Sequence, residues 1–231
     1  MNGVGVSLKM TDARLSRGTD FLLATPLILW CTLGAAGFVL QILHQKNGGG
    51  AIGEVTIVAD LASGAFLLQK AVLLCLRRPP LLRCADNWAR AWTLIVANLD
   101  VSLLLLPRST PSPLLNMVSA AMLLTGTVAS IAVLAWLGRS FAVMPQARRL
   151  VVEGPYRLVR HPLYVTEEIA SLGLALQFVR PWGLLLAIAI FFLQLPRIRL
   201  EESVLAEAFP EYRAYVRRTP MFFPGFRSKK S

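Results

Sequence analysis

An all-α integral membrane protein with about six transmembrane helices is the fold this sequence predicts, and three observations carry that prediction. Hydrophobic residues make up 55% of the 231, charged residues only 16%, and mean hydropathy is +0.57, outside the usual range of soluble domains. The apolar residues fall in runs of about 20, the length a helix needs to cross the hydrocarbon core. The Lys and Arg residues collect in alternate connecting segments, as cytoplasmic loops do.

The first run, Phe21–Leu43, follows a polar leader and is longer than a secretory h-region, so it reads as a span and not as a cleavable signal. Asn47-Gly48-Gly49-Gly50 is a flexible turn to the second span, Val55–Leu76. Arg77-Arg78-Pro79-Pro80 is a basic inner loop before the third, Trp88–Leu106. Pro113–Leu137 is the fourth. The run Pro162–Leu195 is too long for one crossing and is broken by Arg180-Pro181-Trp182-Gly183, which predicts two short or tilted antiparallel helices with a tight turn between them. Two acids lie inside apolar spans. Asp60 and Asp100 read as helix–helix contacts, Asp60 with Lys70 and Asp100 with Asn98 or Ser102, because an isolated charge in lipid costs roughly 2.5–3.5 kcal/mol.

Charge placement orients the bundle. With both termini cytoplasmic, the inner side holds twenty of the 24 basic residues. These are Lys9, Arg14 and Arg17, the loop residues Arg77, Arg78, Arg83 and Arg90, the segment with Arg139, Arg148, Arg149, Arg157 and Arg160, and the tail from Arg197. Only Lys46, Arg108 and Arg180 fall outside, and Lys70 lies within the second span. The setting this implies is a bacterial inner membrane. The net charge of +11 is thereby explained by topology and anionic lipid head groups, not by nucleic acid. Cys31, Cys75 and Cys84 show no pairing or metal-ligand spacing and read as small buried hydrophobes. With only His44 and His161 in the chain, a structural zinc site is not expected.

Residues 1–137 read as scaffold and residues 138–231 as the functional region. Gly138-Arg139-Ser140-Phe141 ends the fourth span. A polar inner segment follows, extended around Leu150–Val152 and turning at Gly154-Pro155. The stiff run Gly154-Pro155-Tyr156-Arg157-Leu158-Val159-Arg160-His161-Pro162-Leu163-Tyr164 comes next. Proline favours the first helical position, so a helix starts at Pro162 with His161 at its N-cap. Its free N–H groups and partial positive charge suit a carboxylate or phosphate. Arg160 and His161 add to that anion site. Glu201, one of the pair Glu201-Glu202, can hold an ammonium or accept from ribose hydroxyls, and Tyr156 and Tyr164 offer faces to a flat ring. These groups fit S-adenosylmethionine, and by residue type alone they fit NADPH as well.

The run Gly-Pro-Tyr-x-x-x-Arg-His-Pro-x-Tyr, the Glu201-Glu202 pair, and Phe209-Pro210-Glu211-Tyr212-Arg213-Ala214-Tyr215 with Pro220 beyond resemble the isoprenylcysteine carboxyl methyltransferase family. Phospholipid N-methyltransferases share the wider pattern. The resemblance covers about Gly138 to Pro224, over a third of the chain. It implies that Arg148, Leu150, Val151, Tyr156, His161, Pro162, Leu163, Tyr164 and Glu201 bind S-adenosylmethionine, with Glu202 supporting. It implies that Arg197, one turn before Glu201 on the same face, meets the methyl acceptor, whose carboxylate an arginine would pair in bidentate fashion. Arg199 faces elsewhere. The family usually has a hydrophobic residue and a glycine after the second tyrosine, where this chain has Val165-Thr166, so Thr166 is expected to narrow the acceptor tunnel or shift its helix. Glu167-Glu168 read as first-turn partners of the helix dipole. The tail reads as an amphipathic helix over the cofactor.

The function implied is an S-adenosylmethionine-dependent membrane methyltransferase acting on a lipophilic small molecule or lipid-modified substrate, with carboxyl O-methylation of an isoprenylcysteine-like acceptor as one form. The alternatives are a phospholipid amine N-methyltransferase, an NADPH-dependent membrane reductase (sterol reductases share an Arg-His-Pro-x-Tyr-like stretch) and a non-catalytic membrane scaffold.

Overall fold

The computed structural model describes residues 10–12, 17–45, 51–100, 103, 106–107, 112–178 and 181–224. In chain order these form β1 (Met10–Asp12), α1 (Arg17–Gln45), α2 (Ala51–Leu76), β2 (Leu82–Cys84), α3 (Asn87–Val96), α4 (Pro113–Leu137), β3 (Gln146–Ala147), α5 (Pro162–Ala175), α6 (Trp182–Ala208) and α7 (Tyr212–Arg218). The chain is an all-α membrane protein with a three-stranded sheet at one end. The turn at 47–50, Ser102 and Arg180 lie outside the described residues.

Among the described residues, four helices, α1, α2, α4 and α6, are long and apolar enough to cross a membrane. Only 11% of the apolar window of α1 is buried. Leu22, Leu29, Leu33, Leu40 and Leu43 are exposed around it, a distribution that water penalises and lipid does not. α1 packs along α2, α2 against α4 and α4 against α5, while α3 and α5 meet α6.

The third expected span takes a different form. Asp86 caps α3 by accepting from the Trp88 N–H, but the helix ends at Val96 after ten residues, roughly 15 Å. Asn98 Nδ2 then donates to the Leu94 carbonyl at 2.8 Å, a local side-chain bond that competes with helix continuation. The hairpin is present as α5 of 14 residues and α6 of 27, with Pro181 capping α6. The break begins at Leu176, before the proline that signals it. Pro196 inside α6 removes the donor that the Phe192 carbonyl would use, just before Arg197.

α4 and α5 approach most closely through small residues. A Cβ on Gly126 would lie 2.5 Å from the Ala170 nitrogen, and one on Gly173 would lie 2.7 Å from the Leu123 nitrogen. Across the same contact Ser119 Oγ donates to the Gly173 carbonyl (2.7 Å) and Ser130 Oγ to Thr166 Oγ1 (2.8 Å), as in membrane helix pairs held by packing and hydrogen bonds. Thr166 therefore faces α4 and is not among the cavity-lining residues; it does not narrow the tunnel.

Both intramembrane acids make helix–helix contacts, and Ser102, one expected partner of Asp100, lies outside the described residues. Asp60 accepts from Gln41 Nε2 on α1 (3.0 Å), and Asp100 accepts from Ser171 Oγ on α5 (2.7 Å). Lys70 pairs instead with Glu167 at 2.6 Å, tying α2 to α5. No acid lies in the first turn of α5, so Glu167 is an ion-pair partner and not a dipole partner. Cys31 and Cys84 are buried, whereas Cys75 is exposed on α2.

The sheet, in order β1-β2-β3 and antiparallel throughout, pairs Met10 with Cys84 and Leu82 with Ala147. The extended piece is Gln146–Ala147, a few residues before the expected Leu150–Val152. Cys84, Ala147 and Ala89 pack with Val204 of α6, which holds the segment entering Arg148 against the helix that carries Glu201.

Candidate active site

Gly154 has φ +59°, and the space where a Cβ would sit is occupied by the Trp136 indole, so this turn requires glycine. The chain passes through a 3-10 turn (Gly154–Arg157) and enters α5 at Pro162, with His161 as the N-cap residue. The His161 ring makes no capping bond. It points to α6, where Nε2 lies 3.0 Å from Glu202 Oε1, and Arg160 Nη1 donates to the same oxygen at 2.5 Å. One turn into α5, Tyr164 Oη donates to Glu201 Oε2 at 3.0 Å. The two adjacent carboxylates therefore divide the motif between them.

A C-terminal strap closes over this junction. Arg160 N–H donates to the Pro220 carbonyl (2.8 Å) and His161 N–H to the Met221 carbonyl (3.2 Å). Phe222 lies against both the His161 and Phe191 rings. α7 supplies Tyr215, whose hydroxyl donates to the Tyr156 carbonyl at 2.6 Å. Burial raises the Tyr156 phenol above its ordinary range, with the Glu201 charge adding to it. For Tyr215, burial outweighs the opposing Arg160 charge, Glu202 adds to it, and the phenol is pushed up to about 12. Both remain protonated at neutral pH.

One cavity of about 310 Å³ collects these groups. Of the ten residues expected at the site, Arg148, Leu150, Val151, Tyr156, His161, Leu163, Tyr164, Arg197 and Glu201 all line it; only Pro162, buried at the start of α5, does not. Arg148 is 4% exposed and donates to Gln146 Oε1 at 2.6 Å. The Arg197 guanidinium sits 5.0 Å from the Tyr164 ring centre, and its one hydrogen bond among the described residues is a long one to the Val143 carbonyl, 3.4 Å. Arg199 is exposed and lies outside the cavity lining. The sequence reading missed Lys70, Glu167, Gln194, Thr127 and Tyr212 as lining residues. A cation and a lone amide inside apolar runs were the only local signals for Lys70 and Gln194.

The segment from the start of α4 through α6 to Tyr212, residues 114–212, matches the family model for phospholipid methyltransferases. This segment is similar to membrane phospholipid methyltransferases. Two curated proteins are similar to parts of the chain. One is the cobalt-zinc-cadmium resistance protein CzcN of Cupriavidus metallidurans, 47% identical over 76 residues, which are 32% of this chain and 35% of that protein. The other is the nickel-cobalt-cadmium resistance protein NccN of Alcaligenes xylosoxydans xylosoxydans, 35% identical over 122 residues, 49% of this chain and 56% of that one. The chain thus spans between about a third and just over half the length of the curated relatives it matches. The matched segment takes in nearly all of α4, the helix packed against α5 at Gly126 and Gly173.

Proposed function

We propose that this protein transfers a methyl group from S-adenosylmethionine to a lipophilic acceptor that reaches the site from the bilayer. The observation carrying this reading is the single cavity that joins the Arg148–Val151 segment, Tyr156, the start of α5, and the Arg197–Glu201 face of α6. The donor set suits that co-substrate. The first-turn amides of α5 at Leu163 and Tyr164 have no intrahelical partner and face a carboxylate well. Glu201 has one oxygen taken by Tyr164 and another left for an ammonium or ribose hydroxyls. S-adenosylmethionine supplies a methyl group on a sulfonium; the acceptor–methyl bond forms as the sulfur–methyl bond breaks, and that electron pair stays on sulfur.

The chain's own work is alignment and exclusion of water. Arg197, with few protein partners, holds an anionic acceptor group within reach of the donor end of the cavity. For a carboxylate or thiolate acceptor no base is required; for an amine, Glu201 is the proton acceptor within the cavity. α7 and the Pro220–Phe222 strap cover the junction of His161 with Glu202. The reading puts this end of the cavity on the cytoplasmic side of a bacterial inner membrane with both termini inside, and the excess of Lys and Arg in the loops on this side supports it.

S-adenosylhomocysteine binding to the detergent-purified protein tests the reading. Wild type is expected to bind, and Glu201→Ala and His161→Ala are each expected to weaken binding at least tenfold. A folded wild type that binds neither S-adenosylhomocysteine nor S-adenosylmethionine with lipid present would sink it, and NADPH would be tried next.

A further inference from the structure

The cavity continues past Arg197 into the middle of the bundle, where its lining is not what a bare hydrocarbon tail requires. Gln194 lies three residues before Arg197 and seven before Glu201, so all three share a face of α6. It is 8% exposed and lines the cavity, and its amide makes no hydrogen bond to any described residue. Thr127, near the middle of α4, is 3% exposed and also lines the cavity, and its hydroxyl likewise has no partner among the described residues. A polar group that opens on a cavity inside a membrane bundle with no protein partner is costly unless something in the cavity bonds to it. Two such groups opening on one cavity inside a membrane bundle mark a place where a ligand supplies the partners. The Lys70–Glu167 pair lines the same cavity and is electrically balanced within itself, and Asp100, also in the lining, accepts from Ser171 Oγ.

We propose that Gln194 and Thr127 form a second recognition point of the acceptor site, specific for an acceptor with a hydrogen-bonding group, such as an amide, between its anionic head and its apolar tail. The inference rests on the methyltransferase reading only in taking Arg197 as the anchor of the head. Three residues of helix advance about 4.5 Å, which matches a carboxylate and an amide separated by one carbon. A plain fatty acid reaches Arg197 but leaves Gln194 and Thr127 unsatisfied.

Two probes of equal chain length separate these cases: N-dodecanoylglycine and pentadecanoic acid, titrated calorimetrically into the full chain in lipid nanodiscs. Wild type is expected to bind the acylglycine at least tenfold more tightly. Gln194→Leu is expected to bring the acylglycine down to the level of the plain acid, and Thr127→Val to narrow the preference about threefold, with circular dichroism and thermal melting confirming that both variants fold. Equal binding of the two probes by wild type, binding of neither, or a preference that survives in Gln194→Leu overturns the proposal. S-adenosylhomocysteine binding, measured in the same nanodiscs, reports separately on the methyltransferase reading. Its absence sinks that reading while the acylglycine preference still decides this one.

Discussion

Glu202→Ala is expected to abolish binding of S-adenosylhomocysteine, with a loss of at least 100-fold, although Glu202 itself does not line the cavity. Its Oε1 accepts from Arg160 at 2.5 Å and faces His161 Nε2 at 3.0 Å, and these two partners are 13% and 5% exposed at the side chain. Removing the carboxylate leaves a mostly buried guanidinium and an imidazole without their shared acceptor. Breaking a buried pair by deleting one member costs about 3–5 kcal/mol, and the partial exposure of Glu202 puts this case near the lower figure. The strain falls on the turn into α5, where the backbone N–H groups of Arg160 and His161 are held by the Pro220–Met221 strap and the His161 carbonyl accepts from the Val165 N–H. Glu202→Gln keeps the shape and one acceptor oxygen and is expected to retain part of the binding. Glu202 is a positioning residue, so the useful readout is hydrogen exchange at 158–164 together with binding. Faster exchange there with α4 unchanged is the expected pattern, and full cofactor binding by Glu202→Ala would exclude this role.

That division of labour shows what the sequence could and could not convey. The Arg160-His161-Pro162 run announced a helix start and a polar pocket because those properties are local: proline at the first helical position, and a stiff approach. The partner of His161 is not local. Glu201 and Glu202 are adjacent, so about 100° of helix rotation decides which carboxylate meets the imidazole, and the packing of α6 against α3, α5 and, through Val204, the sheet fixes it. The pairing of Lys70 with Glu167 spans 97 positions and was equally hidden. Three of the four long helices, α1, α2 and α4, were legible, since about 20 apolar residues leave few other outcomes; α6, expected as a short or tilted half of a hairpin, runs 27 residues because the helix continues past the apolar run to Ala208. α3 was overcalled because hydropathy weighs Asn98 and Asp100 as two small penalties in an apolar window, whereas in the fold Asn98 bonds back to Leu94 and Asp100 leaves the helix line to meet Ser171. The sheet has strands of two and three residues, too short for a period-two pattern.

Gly126→Val is expected to be the most damaging single substitution in the scaffold. At this position the Cβ would come within 2.5 Å of the Ala170 nitrogen, 2.8 Å of the Thr166 carbonyl oxygen and 2.9 Å of the Ala170 Cα. All three are backbone atoms of α5, so no rotamer change relieves the clash and the helices must separate. Separation also pulls Ser130 from Thr166 and Ser119 from Gly173, two interhelical hydrogen bonds that have no water to replace them. Overpacking costs typically 1–3 kcal/mol where side chains give way; against backbone the expected cost is roughly 3 kcal/mol or more, about 10 °C in melting temperature at the usual 2–4 °C per kcal/mol for a chain of this size. Gly37 on α1 is the internal control. A Cβ there meets nothing within 4 Å, so Gly37→Ala adds helix propensity, up to about 1 kcal/mol, and is expected to melt at or above the wild-type temperature. Because α5 also carries His161 and Tyr164, the Gly126→Val protein that does fold should bind S-adenosylhomocysteine more weakly, whereas Gly37→Ala should not. If Gly126→Val melts within 2–3 °C of wild type, about 1 kcal/mol on the same scale, the close α4–α5 contact is wrong, and with it the frame that sets the mouth of the cavity.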